Sequence, residues 1–220
     1  MADLTLPRLH LVTDSGVLER GGFQDCATRV LEAGGADVAV HLRGPRSSGK
    51  SVYDMAMALA PVARRHGATL LANDRVDVAL AAGLDGVHLG SRSLPIREAR
   101  ALVGPQSWIG VSVHDGSELA RARGDGANFA FVGTIFPTDS HPGRAGLGIG
   151  GVERILEHAS GVPTLAIGGV EPDVVADLLR AGTWGVAVLR GVWARSDPAS
   201  AVLEYLTALD EALGPSTEGR

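Results

Sequence analysis

The sequence predicts an α/β chain folded as a single (β/α)8 TIM barrel over residues 1–220. Three observations carry that expectation: eight cycles of a short apolar run followed by a helix-period stretch, a length of 220 residues, and two glycine-bearing turns near the end. Strand-then-helix alternation implies a parallel sheet with right-handed crossovers. Shared among eight cycles, the length leaves about 27 residues per unit, close to the smallest βα repeat. A doubly wound open sheet would show the same alternation. No G-x-G-x-x-G follows the first apolar run, however; the turn there reads Thr13-Asp14-Ser15-Gly16.

Each expected strand is a β-branched or apolar run that ends in a polar residue or a glycine. Strand 9–13 ends at Thr13-Asp14 and leads to helix 17–33. Strand 37–42, with His41, leads through Arg43 to helix 50–65, and strand 68–72 leads through Asn73-Asp74 to helix 75–82. Strand 86–89 carries His88 and is followed by Ser91, Ser93 and helix 95–102. Strand 108–111 is followed by Ser112, His114 and helix 117–123, whose Glu118, Arg121 and Arg123 form a solvated face. Strand 128–132 precedes a long segment, 133–148, and helix 151–158. Strand 163–167 gives Gly168-Gly169 and helix 172–181, and strand 184–189 gives Arg190-Gly191 and helix 198–213. Residues 213–220 are expected to be a disordered tail.

Hydrophobic residues make up 45% of the chain and charged ones 20%, which excludes disordered and collagen-like classes. With 20 basic against 25 acidic side chains the formal charge is −5, so no nucleic-acid partner is expected, although a local cationic pocket is allowed. The one cysteine, Cys26, rules out an internal disulfide. The opening MADLTLPRLHLVTDSG has neither a basic n-region nor a long apolar run, so a cytoplasmic location is expected. No apolar stretch approaches the ~18 residues of a membrane helix, so no membrane partner is expected. A homo-oligomer is compatible with the sequence.

In a barrel of this kind ligands bind at the carboxyl ends of the strands, so the polar residues after each run are the candidates. They form a ring: Thr13 and Asp14, His41 and Arg43, Asn73 and Asp74, His88 with Ser91 and Ser93, Ser112 and His114, and Thr138, Ser140 and His141, although His88, inside a strand, is better read as a packed core histidine. Phosphate binding is expected at Gly168, Gly169, Arg190 and Gly191, because glycine turns let backbone N–H groups approach an anion. The plainer reading is that Gly168 and Gly169 only make a tight turn and that Arg190 points into solvent.

HLR at 41–43, NDRVDVAL at 73–80, GVHLG at 86–90, GVSVH at 110–114, GTIFPTDSH at 133–141 and AIGGV at 166–170 are six motifs in order. On them the chain resembles the thiamin phosphate synthase and thiazole tautomerase superfamily, from Leu11-Val12-Thr13-Asp14 to Ser196-Asp197-Pro198. The resemblance implies a barrel that binds a phosphorylated thiazole, with the phosphate on the last two strand turns. In the synthases it implies cations on a departing pyrophosphate, supplied by Q-x-R-x-K, N-D, G-Q-x-D and T-x-T-K patterns. Arg43, Asn73, Asp74, Ser112, Thr138 and Ser140 match or nearly match those patterns. Pro45 and His141 replace lysines, and Ser93 replaces a carboxylate.

These departures favour the tautomerase-like branch, a metal-independent isomerase that aromatises a carboxylated thiazole phosphate by proton transfer. That branch's histidine position is Thr134 here, so His141, seven residues on, is expected to transfer the proton, with Arg43 offsetting negative charge. Substrate contacts are expected from Asn73, Asp74, Ser112, Thr138 and Ser140. No cofactor is needed on this reading. The alternatives are a thiamin phosphate synthase, with Mg²⁺ at Asp74, and a non-catalytic binder of thiazole or thiamin phosphates.

Overall fold

The computed structural model of the chain describes residues 5–138, 146–157 and 161–214. Its elements run in order: β1 (Leu9–Val12), α1 (Ser15–Leu18), α2 (Phe23–Gly34), β2 (Val38–Leu42), α3 (Gly49–His66), β3 (Thr69–Asn73), α4 (Val76–Ala82), β4 (Gly86–Leu89) and α5 (Ile96–Val103). They continue with β5 (Trp108–Val113), α6 (Gly116–Asp125), β6 (Phe129–Gly133), α7 (Gly148–Leu156), β7 (Thr164–Ile167), α8 (Val175–Arg180), β8 (Gly185–Val188), α9 (Arg190–Trp193) and α10 (Pro198–Leu213). The eight strands pair in parallel, each with the next, and β1 closes on β8 through Leu9↔Val186 and Leu11↔Val188. The expected single barrel is the fold.

The strands are buried on both faces, which is why they read as nearly unbroken apolar runs. One face packs outward on the helices through Leu31, Val40, Leu59 and Val186. The other fills the barrel with Val12, Ala39, Leu71, Phe129, Phe131 and Leu165. Small residues stand beside large ones there: a Cβ on Gly110 would lie 2.1 Å from the Phe129 ring, so only glycine fits.

Local chemistry sets the helix ends. Ser48 and Asp115 accept hydrogen bonds from Ser51 N and Glu118 N, capping α3 and α6. Left-handed Gly67 and Gly83 stop α3 and α4. The helix expected over 17–33 is interrupted, because Gly22 takes φ 77° and forms the N-cap of α2. β5 extends two residues beyond expectation and carries Ser112 on the strand itself. The short α9, immediately after β8, was not expected. Leu213 is helical, and the rest of the expected tail from 215 onward lies outside the described residues. No helix among the described residues is long and apolar enough to cross a membrane.

Candidate functional site

At the carboxyl end of the strands the barrel opens into a cavity of about 550 Å³. Every βα unit begins there, so side chains from distant parts of the chain meet across it. Arg43 and Arg46 come from the loop after β2, Arg92 from the loop after β4, and Arg190 from the start of α9. Asp14, Asp74 and Glu171 also line it, so four guanidinium groups face three carboxylates in a chain whose overall charge is negative. The local cationic balance suits an anionic ligand. Arg92 and Glu171 were not singled out in the sequence, since loop reach leaves no periodic signal.

Thr13 anchors the Arg43 segment: its single hydroxyl hydrogen is shared between the His41 and Arg43 carbonyls, and its Oγ1 accepts from Arg43 N at 2.8 Å. Asp74 follows β3 with φ 63°, a left-handed turn that Asp tolerates better than most residues and that costs about 1 kcal/mol. Its Oδ1 accepts from Gly90 N at 2.9 Å and from the Ser93 hydroxyl. Ser93 therefore ties the loop after β4 to Asp74.

Asp74 is also the cavity residue best suited to a divalent cation. Among the described residues there is no cluster of three or more His, Cys, Asp or Glu that could hold a metal. Mg²⁺ is usually fixed by one or two carboxylates together with phosphate oxygens and water. Asp74, whose Oδ2 accepts no hydrogen bond among the described residues, fits an ion that arrives on a phosphorylated ligand.

Gly168 (φ 103°) and Gly169 (φ 68°) form the turn after β7, and both line the cavity. They also allow close packing: a Cβ on Gly168 would lie 2.6 Å from Thr134 Cγ2, and one on Gly169 would lie 2.8 Å from Phe136 Cβ. Phe136 N donates to Gly168 O at 2.9 Å, which joins the segment after β6 to this turn. Gly191 packs against the Tyr205 hydroxyl, where a Cβ would intrude to 2.1 Å. Arg190 Nη2 donates to Thr138 Oγ1 at 2.7 Å, linking the loops after β8 and β6. The four expected phosphate residues are therefore together on one side of the mouth.

Ser112, on the facing side, accepts or donates at 2.9 Å to His88 Nε2. Thr134 and Thr138 line the cavity, and the Thr134 carbonyl accepts from Leu147 N. Ser140 and His141 lie outside the described residues. His114 is exposed at the rim, 3.1 Å from Glu118.

His41, expected in the polar ring at the mouth, instead lies inside the barrel with His10 and His88, all three buried among Phe129 and Phe131. Side chains alternate along a strand, and His41 takes the inward position next to Val12 and Leu71. Burial pushes its pKa down to about 3, offset partly by Asn73. Burial also holds His10 and His88 well below the usual histidine range, with the neighbouring His41 adding to the effect. All three are neutral at pH 7.

The thiamine monophosphate synthase family profile matches residues 9–192. A curated thiamine-phosphate synthase of Chloroflexus aurantiacus is 41% identical over 203 residues, 92% of each chain. One from Mycolicibacterium smegmatis is 38% identical over 213 residues, covering 93% of this chain and 92% of its own. Among solved structures, a thiamine phosphate pyrophosphorylase from Pyrococcus furiosus superposes with TM-score 0.80 and 31% identity, over 94% of this chain and 97% of that one.

These matches overturn the expectation of a tautomerase-like isomerase. That expectation gave decisive weight to Pro45, Ser93 and His141, where the synthase patterns carry charge. Positive charge need not come from a fixed position in a mobile-length loop, and here Arg46 and Arg92 bring it to the same cavity from the loops that hold Pro45 and Ser93.

Proposed function

The chain belongs to the thiamine monophosphate synthase family, and from that premise we propose that it joins a thiazole phosphate to a pyrimidine carried as its pyrophosphate. The carrying observation is the match to curated synthases over more than nine-tenths of both chains. In the reaction the bond between the pyrimidine methylene carbon and the pyrophosphate oxygen breaks, and the oxygen keeps the electron pair. The thiazole ring nitrogen then supplies its lone pair to the methylene carbon. Thiamine phosphate and pyrophosphate are the products.

The residues divide by charge. The turns at Gly168-Gly169 and Arg190-Gly191 hold the thiazole's phosphate, with Thr138 keeping Arg190 in place. Arg43, Arg46 and Arg92, on the opposite loops, neutralise the departing pyrophosphate. Charge placed where it develops in the transition state is a large catalytic term. Mg²⁺ carried in on the pyrophosphate would be held at Asp74, where it supplies further neutralisation of the leaving oxygens. Asn73 and Ser112 lie at the base of the cavity, within reach of the ring that is transferred. This chemistry needs no proton-transfer group at the thiazole, so His141 and Thr134 carry no such role in it.

The test is direct. Purified full-length protein is given the thiazole phosphate, the pyrimidine pyrophosphate and Mg²⁺, and thiamine phosphate is followed by chromatography. Multiple-turnover formation is expected. A protein that binds either substrate yet forms no product would refute the proposal.

A further inference from the structure

We propose that His10, at the closed end of the barrel, is a positioning residue for Asn73 at the mouth: through His41 it turns the Asn73 amide so that the NH2 group points into the barrel and the carbonyl oxygen faces the cavity. Four groups stand in line. Pro7 O is 3.1 Å from His10 Nε2, His10 Nδ1 is 2.8 Å from His41 Nε2, and His41 Nδ1 is 3.1 Å from the arm of the Asn73 amide assigned as Oδ1, an assignment in which the oxygen and nitrogen of an amide exchange freely. Three contacts need three hydrogens. If Asn73 presents its oxygen to His41, both ends of the line are acceptors, and two neutral imidazoles bring only two hydrogens.

A third hydrogen on either ring would create an imidazolium in an aromatic enclosure formed by Phe129 and Phe131. The other groups bearing on the pair are His88 and, beside it, Arg43, and neither offers negative charge. An unpaired cation buried in such surroundings is strongly disfavoured. Half a turn of the Asn73 amide instead exchanges its nitrogen and oxygen without moving any other group. Every member of the line is then satisfied. His10 Nε2–H donates to Pro7 O, His41 Nε2–H donates to His10 Nδ1, and Asn73 Nδ2–H donates to His41 Nδ1.

Pro7 fixes the direction, because a carbonyl can only accept. Its effect travels the length of the interior and emerges at the outer arm of the Asn73 amide, which lines the cavity and has no hydrogen-bond partner among the described residues. Resting on the reading of this cavity as the synthase site, the consequence is chemical. Asn73 receives an N–H or O–H of the ligand, so the ligand edge lying on it bears a hydrogen-bond donor, and anionic oxygens go to the arginine-bearing loops.

Long-range proton–nitrogen NMR on the ¹⁵N-labelled full chain at pH 7 reads the histidine tautomers. Expected is hydrogen on Nε2 of both His10 and His41, with both Nδ1 atoms bare. A His41 Nδ1–H, or an imidazolium at either residue, overturns the proposal. In His10→Phe, which keeps an aromatic ring but removes the link to Pro7, His41 should populate the Nδ1–H tautomer. His41 held wholly as Nε2–H in that variant also overturns it. In turnover assays His10→Phe should raise the KM of the pyrimidine substrate about tenfold against a smaller change in kcat, and an unchanged KM refutes the positioning role. If His10→Phe does not fold, the wild-type spectra decide the matter. If the wild-type protein makes no thiamine phosphate, the reading of the cavity fails while the spectra still judge His10.

Discussion

Below Asn73 the barrel is filled. His10, His41 and His88 pack among Phe129 and Phe131 and stay neutral; His10 bonds to His41 and Pro7, His41 to Asn73, and His88 to Ser112. Above Asn73 it is open, and Arg43, Arg46, Arg92 and Arg190 share about 550 Å³ with three carboxylates. Both levels are polar and stand on the same barrel. The difference lies in where the partners come from. The lower level finds most of them inside the protein, His88 Nδ1 being the buried ring atom without one among the described residues, whereas the upper level leaves charge in excess for a ligand to meet. Substitutions should therefore separate the levels: upper ones should change turnover at constant stability, and lower ones should change stability first.

The largest separation is expected at Asp74. Asp74→Asn should lower turnover ~10²- to 10³-fold through lost charge control of the pyrophosphate, with an unchanged melting temperature, and chelation of Mg²⁺ should abolish product formation. Activity that survives chelation would remove Asp74 from the site.

The next effect belongs to the lower level and to pH. The three interior histidines have folded-state pKa values below that of the unfolded chain, about 6.5, with His41 near 3. The unfolded chain therefore binds protons that the folded one refuses. Stability is complete above pH 6.5 and falls as the pH drops toward 3. Between pH 6.5 and 5.5 each histidine should cost about 1 kcal/mol, roughly 3 kcal/mol together. Urea melts at the two pH values give the number, and a flat profile would mean that the rings charge in the folded state.

Gly110→Ala comes third. Its Cβ would strike Phe129, so a loss of ~1 to 3 kcal/mol is expected, measured by thermal melting, with the KM values of the surviving protein little changed. The smallest effect is at Arg190→Ala. Losing one charged contact to a phosphate should weaken thiazole phosphate binding about tenfold, read by calorimetry, while leaving the affinity for pyrophosphate as it was.

The barrel was legible because its signal is repeated. Eight apolar runs with eight glycine or polar endings tolerate errors at single boundaries, such as the break at Gly22 or the extension of β5 to Val113. The turn after β7 was legible because Gly168 and Gly169 mark a backbone no other residue adopts easily. The interior histidines were harder. His41 stands two residues before Arg43, and a reading that collects polar residues at strand ends puts both at the mouth, although β2 ends at Leu42, which leaves His41 one layer down inside the barrel and Arg43 at the rim. Arg92 shows the converse, because a long side chain on a loop reaches the cavity from a position whose periodicity says nothing. The choice between enzyme classes went astray because three substituted positions were weighed as lost charge, while the cavity sums charge over all its loops.

Tyr205 adds a constraint of another kind. Its hydroxyl donates to Val170 O at 2.8 Å, just beyond the Gly168-Gly169 turn, and its ring lies under Gly191, so one side chain of α10 props both turns. A chain emerging from the ribosome gains its first seven strands well before that prop exists, and β8 must still find β1 to shut the ring. Local βα units can form early, but the contact that closes the ring joins residues from opposite ends of the sequence and so comes last. The two turns thus gain their support late in synthesis, and a chain halted before residue 205 would hold all eight strands while the loops after β7 and β8 lacked the side chain that props them.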